Sequence, residues 1–135
     1  MFMIKRHYEI AKRYRPIGVK VRFKRGKDLK PAHAKVFKDG TKEILTPRPG
    51  TREGLYYFLH ECSHLILRHF HIPMPIWQME YEAEQWTIAT MRREGIPVPH
   101  SMLVEAKKYV RQCIKEDKKK DKKVPYKVRR WCNAV

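Results

Sequence analysis

The sequence predicts an α+β domain in which a small antiparallel sheet packs on three main helices. Three observations carry that expectation. Val19-Lys20-Val21-Arg22-Phe23 alternates apolar and basic residues, the period of a half-buried strand. Asp39-Gly40 separates two β-compatible stretches, residues 34–38 and 41–46, as a hairpin turn does. Three longer segments of helical periodicity follow, punctuated by proline and glycine.

In chain order, residues 3–15 place Ile4, Tyr8, Ala11 and Tyr14 or Arg15 on one side of an amphipathic helix that Pro16 stops. The strand at 19–23 and the hairpin come next. Thr46-Pro47-Arg48-Pro49-Gly50 breaks regular structure, and Thr51 is suited to cap a helix reaching about Phe70, before Pro73 and Pro75. A second main helix spans about Ile76 to Arg93 and stops at Gly95, ahead of Pro97 and Pro99. A third runs from about Ser101 to Ile114 and fades into the run from Lys115 to Lys123, which has no apolar residue to bury and reads as a solvated helix end or linker. Residues 1–114 are expected to form one domain and 115–135 a basic tail, since 135 residues supply one modest core.

The charge is uneven. Residues 1–30 hold eleven Lys/Arg against two acids, 31–106 hold eight against nine, and 107–135 hold twelve against three, within a net charge of +17. A nearly neutral centre between basic arms directs the search for chemistry to the middle of the chain. No apolar run reaches the roughly 18–20 residues of a membrane span, and the start turns charged before a signal-peptide core forms, so a cytoplasmic protein without a membrane partner is expected. Cys62, Cys113 and Cys132 are odd in number and lack CxxC spacing, which predicts free thiols.

The central segment contains His60-Glu61-Cys62-Ser63-His64. Four residues turn an α-helix by about 400°, so His60 and His64 stand one above the other and can direct ring nitrogens at one zinc ion. Glu61 falls beside them, where its carboxylate can take a proton from water and act as general base. Leu55, Tyr56, Phe58, Leu59, Leu65, Ile66 and Leu67 would bury most of that helix. The plain alternative is a pair of core histidines satisfied by neighbours. Cys62, turned from the ligand side, reads as a packing residue.

Catalytic zinc takes three protein ligands and keeps another position open, so the third ligand decides the class. Leu67 and Phe70 stand where the HExxHxxGxxH pattern needs Gly and His, which excludes that pattern. His69 lies about 140° around the helix from His64, and His71 follows near its end, so neither is in register. On the next helix Glu80, Ala83, Glu84 and Thr87 share a face. Glu80 can approach the metal, Ala83 leaves room for a close crossing, and Glu84 can hydrogen-bond a ligand histidine or face solvent. Glu82 points about 200° from Glu80 and reads as an exposed acid favoured by the helix dipole.

His60-Glu61-Cys62-Ser63-His64 followed by Glu80-Tyr81-Glu82-Ala83-Glu84-Gln85-Trp86-Thr87 resembles the two signatures of the ImmA/IrrE-type zinc metallopeptidases, over about residues 34–99. Glu84 stands where that family usually has Asn or Asp, and Thr87 where it usually has Ala. The stretch Met91 to Pro99 looks like small phage and prophage members. The resemblance implies a zincin-like minimal metallopeptidase domain, Zn2+ held by His60, His64 and Glu80 in a cleft between sheet and helix, and Glu61 as catalytic base. It implies hydrolysis of a peptide bond in a protein or peptide substrate. An extended substrate commonly adds to a sheet edge, and residues 41–46 are the candidate edge. Tyr56, Tyr57, Tyr81 and Tyr109 all remain open as oxyanion stabilisers, and His100 as a cleft contact or a surface histidine.

The basic arms allow another function, a nucleic-acid-binding protein whose zinc site is structural or vestigial. Tyr8, Tyr14, Phe23, Tyr109, Tyr126 and Trp131 are interleaved with cations that could contact phosphates. Lysine dominates the tail, which favours non-specific attraction over base readout, and a solubilising tail is the simpler account.

Overall fold

The helix that carries the histidine pair is buried around most of its circumference. A computed structural model describes residues 2–25, 31–117 and 123–134. The elements run α1 (Phe2–Tyr14), β1 (Val19–Phe23), β2 (His33–Val36), β3 (Lys42–Thr46), α2 (Arg52–Ile66), α3 (Ile76–Arg93), α4 (His100–Glu116) and α5 (Tyr126–Asn133). The class is α+β, as expected.

The three-stranded sheet has the order β1-β3-β2 and is mixed, not antiparallel throughout. β2 and β3 form the Asp39-Gly40 hairpin, in which Asp39 Oδ1 accepts from the Thr41 backbone N–H at 2.9 Å. β1 runs parallel to β3 on its other side, with Val21 opposite Ile44. β3 is therefore the central strand, and residues 41–46 are not an edge. Ile44, Leu45 and Thr46 are consecutively buried, the pattern of a strand covered on both faces. The edge strands are β1 and β2.

α1 presents His7, Ile10, Ala11 and half-buried Tyr14 to the core, a stripe at i, i+3, i+4 and i+7. Ile4 is 52% exposed and Tyr8 37%, so the helix is rotated from the face expected for it. α2 starts at Thr51, whose side chain accepts from the Gly54 N–H at 2.9 Å. The turn before α2 passes so close that a Cβ on Gly54 would lie 2.0 Å from the Arg48 carbonyl oxygen.

α2 ends earlier than expected, because Arg68 takes a left-handed conformation (φ 60°). The His69 N–H bonds the His64 carbonyl at 3.0 Å and the Arg68 N–H bonds Leu65 at 3.2 Å, the two bonds of a Schellman turn. Glycine usually occupies that position, and an arginine there hides the helix end from a sequence reading. At the end of α3, Gly95 (φ 75°) makes the same turn, with Ile96 N–H bonded to the Met91 carbonyl at 2.9 Å.

A second, smaller core joins Trp77 of α3, Val110 and Cys113 of α4, and Val128 and Cys132 of α5. The expected basic tail thus contains a packed helix. Val128 and Cys132 are one helical turn apart, an apolar signal diluted by the surrounding cations. Arg111 and Lys107 of α4 donate to the Cys132 and Ala134 carbonyls at the end of α5, where cations complement the helix dipole. The centre of the lysine run, residues 118–122, expected as a solvated helix end or linker, lies outside the described residues. All three cysteines are unpaired and buried. Among the described residues, no helix is long and apolar enough to cross a membrane.

Gly54→Ala should lower unfolding free energy by about 3 kcal/mol, the upper end for forcing a methyl group into packed structure. Urea denaturation of the two proteins measures it, and unchanged stability would mean that the Arg48 turn yields freely.

Candidate metal centre

Burial dictates what the polar side chains of α2 must do. His60, Glu61 and His64 lie on the most enclosed helix of the chain, and their ligand atoms lie within 4.8 Å of one another. α3 crosses beside them, with Ala83 fully buried at the approach and Glu80 and Glu84 on the same face. His60 Nε2 and His64 Nε2 are 3.2 Å apart. Glu80 Oε2 is 3.1 Å from the first and 3.4 Å from the second.

That triangle fits a cation. A tetrahedral ion with bonds of about 2.0–2.1 Å sets its ligand atoms about 3.3–3.4 Å apart, close to all three observed edges. The Glu80 side chain is 14% exposed, and its Oε2 is buried without a hydrogen-bond partner even though two imidazoles lie within ion-pair distance. An orphaned buried carboxylate oxygen is costly. Atoms aimed at a common point, and not at one another, meet that cost when a cation occupies the point.

The electrostatics agree. Burial would raise the Glu80 carboxyl, but the imidazoles of His60 and His64 outweigh it and hold its pKa at about 2. Burial disfavours the charged form of His60, yet Glu80 and Glu84 together carry its pKa well above the ordinary histidine value. Burial is the largest influence on Glu61 and pushes its carboxyl up. The site prefers positive charge, supplied by protons or by a metal.

The other residues singled out from the sequence separate clearly. Glu84 reaches His60, with Oε1 in close contact with Nδ1, while Oε2 accepts the Tyr56 hydroxyl at 2.8 Å. Tyr56 is thereby engaged. Tyr81 packs edge-on against Trp131 at 5.5 Å and does not line the cavity. Tyr57 and Tyr109 do line it. Cys62 is wholly buried, its thiol pushed up to about 12 chiefly by burial. His100 is exposed at the start of α4 and is not a cavity residue, and His71 is exposed.

His69 and Glu82 depart from expectation. The Schellman turn swings His69 back, burying it with its Nδ1 2.8 Å from His64 Nδ1. Glu82, expected at the surface, bonds His69 Nε2 at 3.0 Å through Oε1. The 140° offset presumed that α2 continues past residue 66. Only the left-handed Arg68, a position without a glycine signal, brings the ring back.

The cluster opens into a cavity of about 780 Å³. Its walls come from β2 and the preceding Pro31 and Ala32, from α2, from Met79 and Glu80 of α3, and from Met102, Glu105 and Ala106 of α4. The cleft between sheet and helix therefore has α4 as a further wall. No family model, no curated protein and no solved structure matches the chain.

The protein should bind one equivalent of a divalent cation, and His60→Ala and Glu80→Ala should each abolish high-affinity binding. Imidazole Nε2 must be unprotonated to bind, whereas Glu80 is already ionised near neutrality. Affinity should therefore fall on acidification by about tenfold per unit for each proton displaced, and keep rising with pH above the ordinary histidine range, because Glu80 and Glu84 hold His60 protonated beyond it. Chelator competition across and above that range checks the sign, and a flat profile would exclude histidine ligands.

Proposed function

We propose that this chain is a zinc-dependent metallopeptidase that hydrolyses a peptide bond in a protein or peptide substrate, using His60, His64 and Glu80 as ligands and Glu61 as general base. The observation that carries the reading is the buried triangle of two nitrogens and one oxygen with Glu61 beside it, open to a cavity. Two imidazoles and a carboxylate suit zinc with a position left open. The resemblance of the two motifs to ImmA/IrrE-type metallopeptidases points the same way.

When bound, zinc supplies Lewis acidity toward a carbonyl oxygen and lowers the pKa of water to about 7. The protein's own groups do the rest. Glu61 takes the proton from the attacking water and returns it to the leaving amine. Its raised pKa, caused chiefly by burial, makes Glu61 a stronger base toward that water. Glu84, braced by the Tyr56 hydroxyl, keeps the His60 ring oriented. β2 is the sheet edge that borders the cavity, so an extended peptide would pair with β2 and not with the central β3. Tyr57 and Tyr109 are the phenols available to a developing oxyanion.

Glu61→Gln should keep the fold and one bound cation yet lower the hydrolysis rate by roughly 10²–10⁴-fold. Mass-spectrometric cleavage of a mixed peptide library by the two proteins reads this directly. Undiminished cleavage by the variant would remove Glu61 from the chemistry.

Contact with nucleic acid is a separate property that the packed C-terminal helix favours. α5 leaves Lys127, Arg129 and Arg130 exposed beside Tyr126, which is 77% exposed. Binding to mixed-sequence DNA should weaken steeply with salt, whereas absence of binding near 0.1 M salt would leave these cations a solubilising role.

A further inference from the structure

The contacts behind His64 fix more than the position of its ring. We propose that Gln78, Glu82 and His69 form a hydrogen-bonded chain that locks His64 as its Nδ1–H tautomer and so presents the bare Nε2 to the cation. His69 and Glu82 are then positioning residues. This rests on the reading of His60, His64 and Glu80 as a cation site.

The direction of each proton follows from one end of the chain. An ionised carboxylate only accepts hydrogen bonds. Glu82 Oε1 lies 3.0 Å from His69 Nε2, and its Oε2 lies 3.1 Å from Gln78 Nε2, so both nitrogens donate. A neutral imidazole that donates from Nε2 has a bare Nδ1. His69 Nδ1 is 2.8 Å from His64 Nδ1, a distance two bare nitrogens would not hold, so the proton between them belongs to His64. His64 Nε2 is left without a proton. It faces His60 Nε2 at 3.2 Å and Glu80 Oε2 at 3.4 Å.

The fold invests in this contact. His69 holds His64 twice, through its backbone N–H on the His64 carbonyl and through its ring on the His64 ring. Each candidate ligand histidine thus has a carboxylate behind it, His60 by contact with Glu84 and His64 through one interposed imidazole. The interposed ring solves a problem of reach. Glu82 leaves α3 about 200° around from Glu80, too far round to touch His64 itself, and the Arg68 turn supplies the missing span. The 2.8 Å separation is also shorter than the roughly 3.3 Å between two nitrogens that share a tetrahedral ion. A proton, and not a second cation, joins the rings.

Co2+ titration of the wild type, His69→Phe, Glu82→Ala and Glu82→Gln, followed by visible absorption, tests the chain. Long-range proton–nitrogen NMR spectra of labelled histidines read the tautomers in the wild type. One equivalent of Co2+ should bind the wild type, with roughly 10- to 100-fold weaker affinity in His69→Phe and Glu82→Ala. Glu82→Gln keeps an accepting oxygen and should recover most of the loss, a rescue that a merely structural role would not predict. His69 should carry its proton on Nε2 and none on Nδ1. Equal affinity of the wild type and Glu82→Ala, a proton on His69 Nδ1, or two bound equivalents would each overturn the chain and leave the cation site standing. Failure of the wild type to bind Co2+ would remove both. Should the buried His69→Phe variant not fold, the Glu82 pair, at a side chain 37% exposed, decides the matter with the wild-type spectra.

Discussion

The structure depends on carboxylates held together where water is scarce. Glu61 and Glu84 are buried, Glu80 is nearly so, and all three surround the His60–His64 pair. Like charges this close, in a setting of low dielectric, stay ionised only if positive charge is supplied to them. The chain carries a net charge of +17, yet the cations that produce it lie mostly on α1, the outer strand and the C-terminal segment. The centre must therefore find its positive charge in its own imidazoles or in a bound ion. A cation held there would stabilise the fold, since whatever binds the native centre and not the unfolded chain does so.

α3 distributes the carboxylates. Glu80 points between His60 and His64, Glu84 one turn later stands behind His60, and Glu82 on another side meets His69. Three acids at alternate positions of one helix reach three different imidazoles because α2 lies across α3 at close range and then bends back. Ala83 permits that range, being wholly buried at the crossing, and Thr87 spends its hydroxyl on the Ala83 carbonyl at 2.8 Å. The Schellman turn at Arg68 completes the arrangement.

The cavity is as much a product of the sheet order as of the helices. Insertion of β3 between β1 and β2 leaves β2 with one unpaired side next to the histidine pair, and α4 closes the opposite wall with Met102, Ala106 and Tyr109. α4 is held there in part by α5, through Val110, Cys113, Val128 and Cys132. The C-terminal segment thus supports the cavity wall in addition to carrying charge.

Residue spacing alone determined the parts of the protein that are local. Thr51 capped α2 because an N-cap acts within one turn, α3 ran from Ile76 to Arg93 because its stop lies in Gly95, and Asp39-Gly40 made its hairpin. The i, i+4 histidines were legible for the same reason, since helical geometry brings their side chains to one face. Glu80 was pointed to by the resemblance of the motifs, and its approach to the histidines depends on how α3 crosses α2. Tertiary structure decided the rest. Which side of β3 received β1, which face of α1 turned inward, and whether Val128 and Cys132 found a partner all depend on burial against elements distant in the chain. His69 and Glu82 illustrate the boundary most sharply. Thirteen positions separate them, and their meeting required a left-handed arginine that nothing in the neighbouring residues announces.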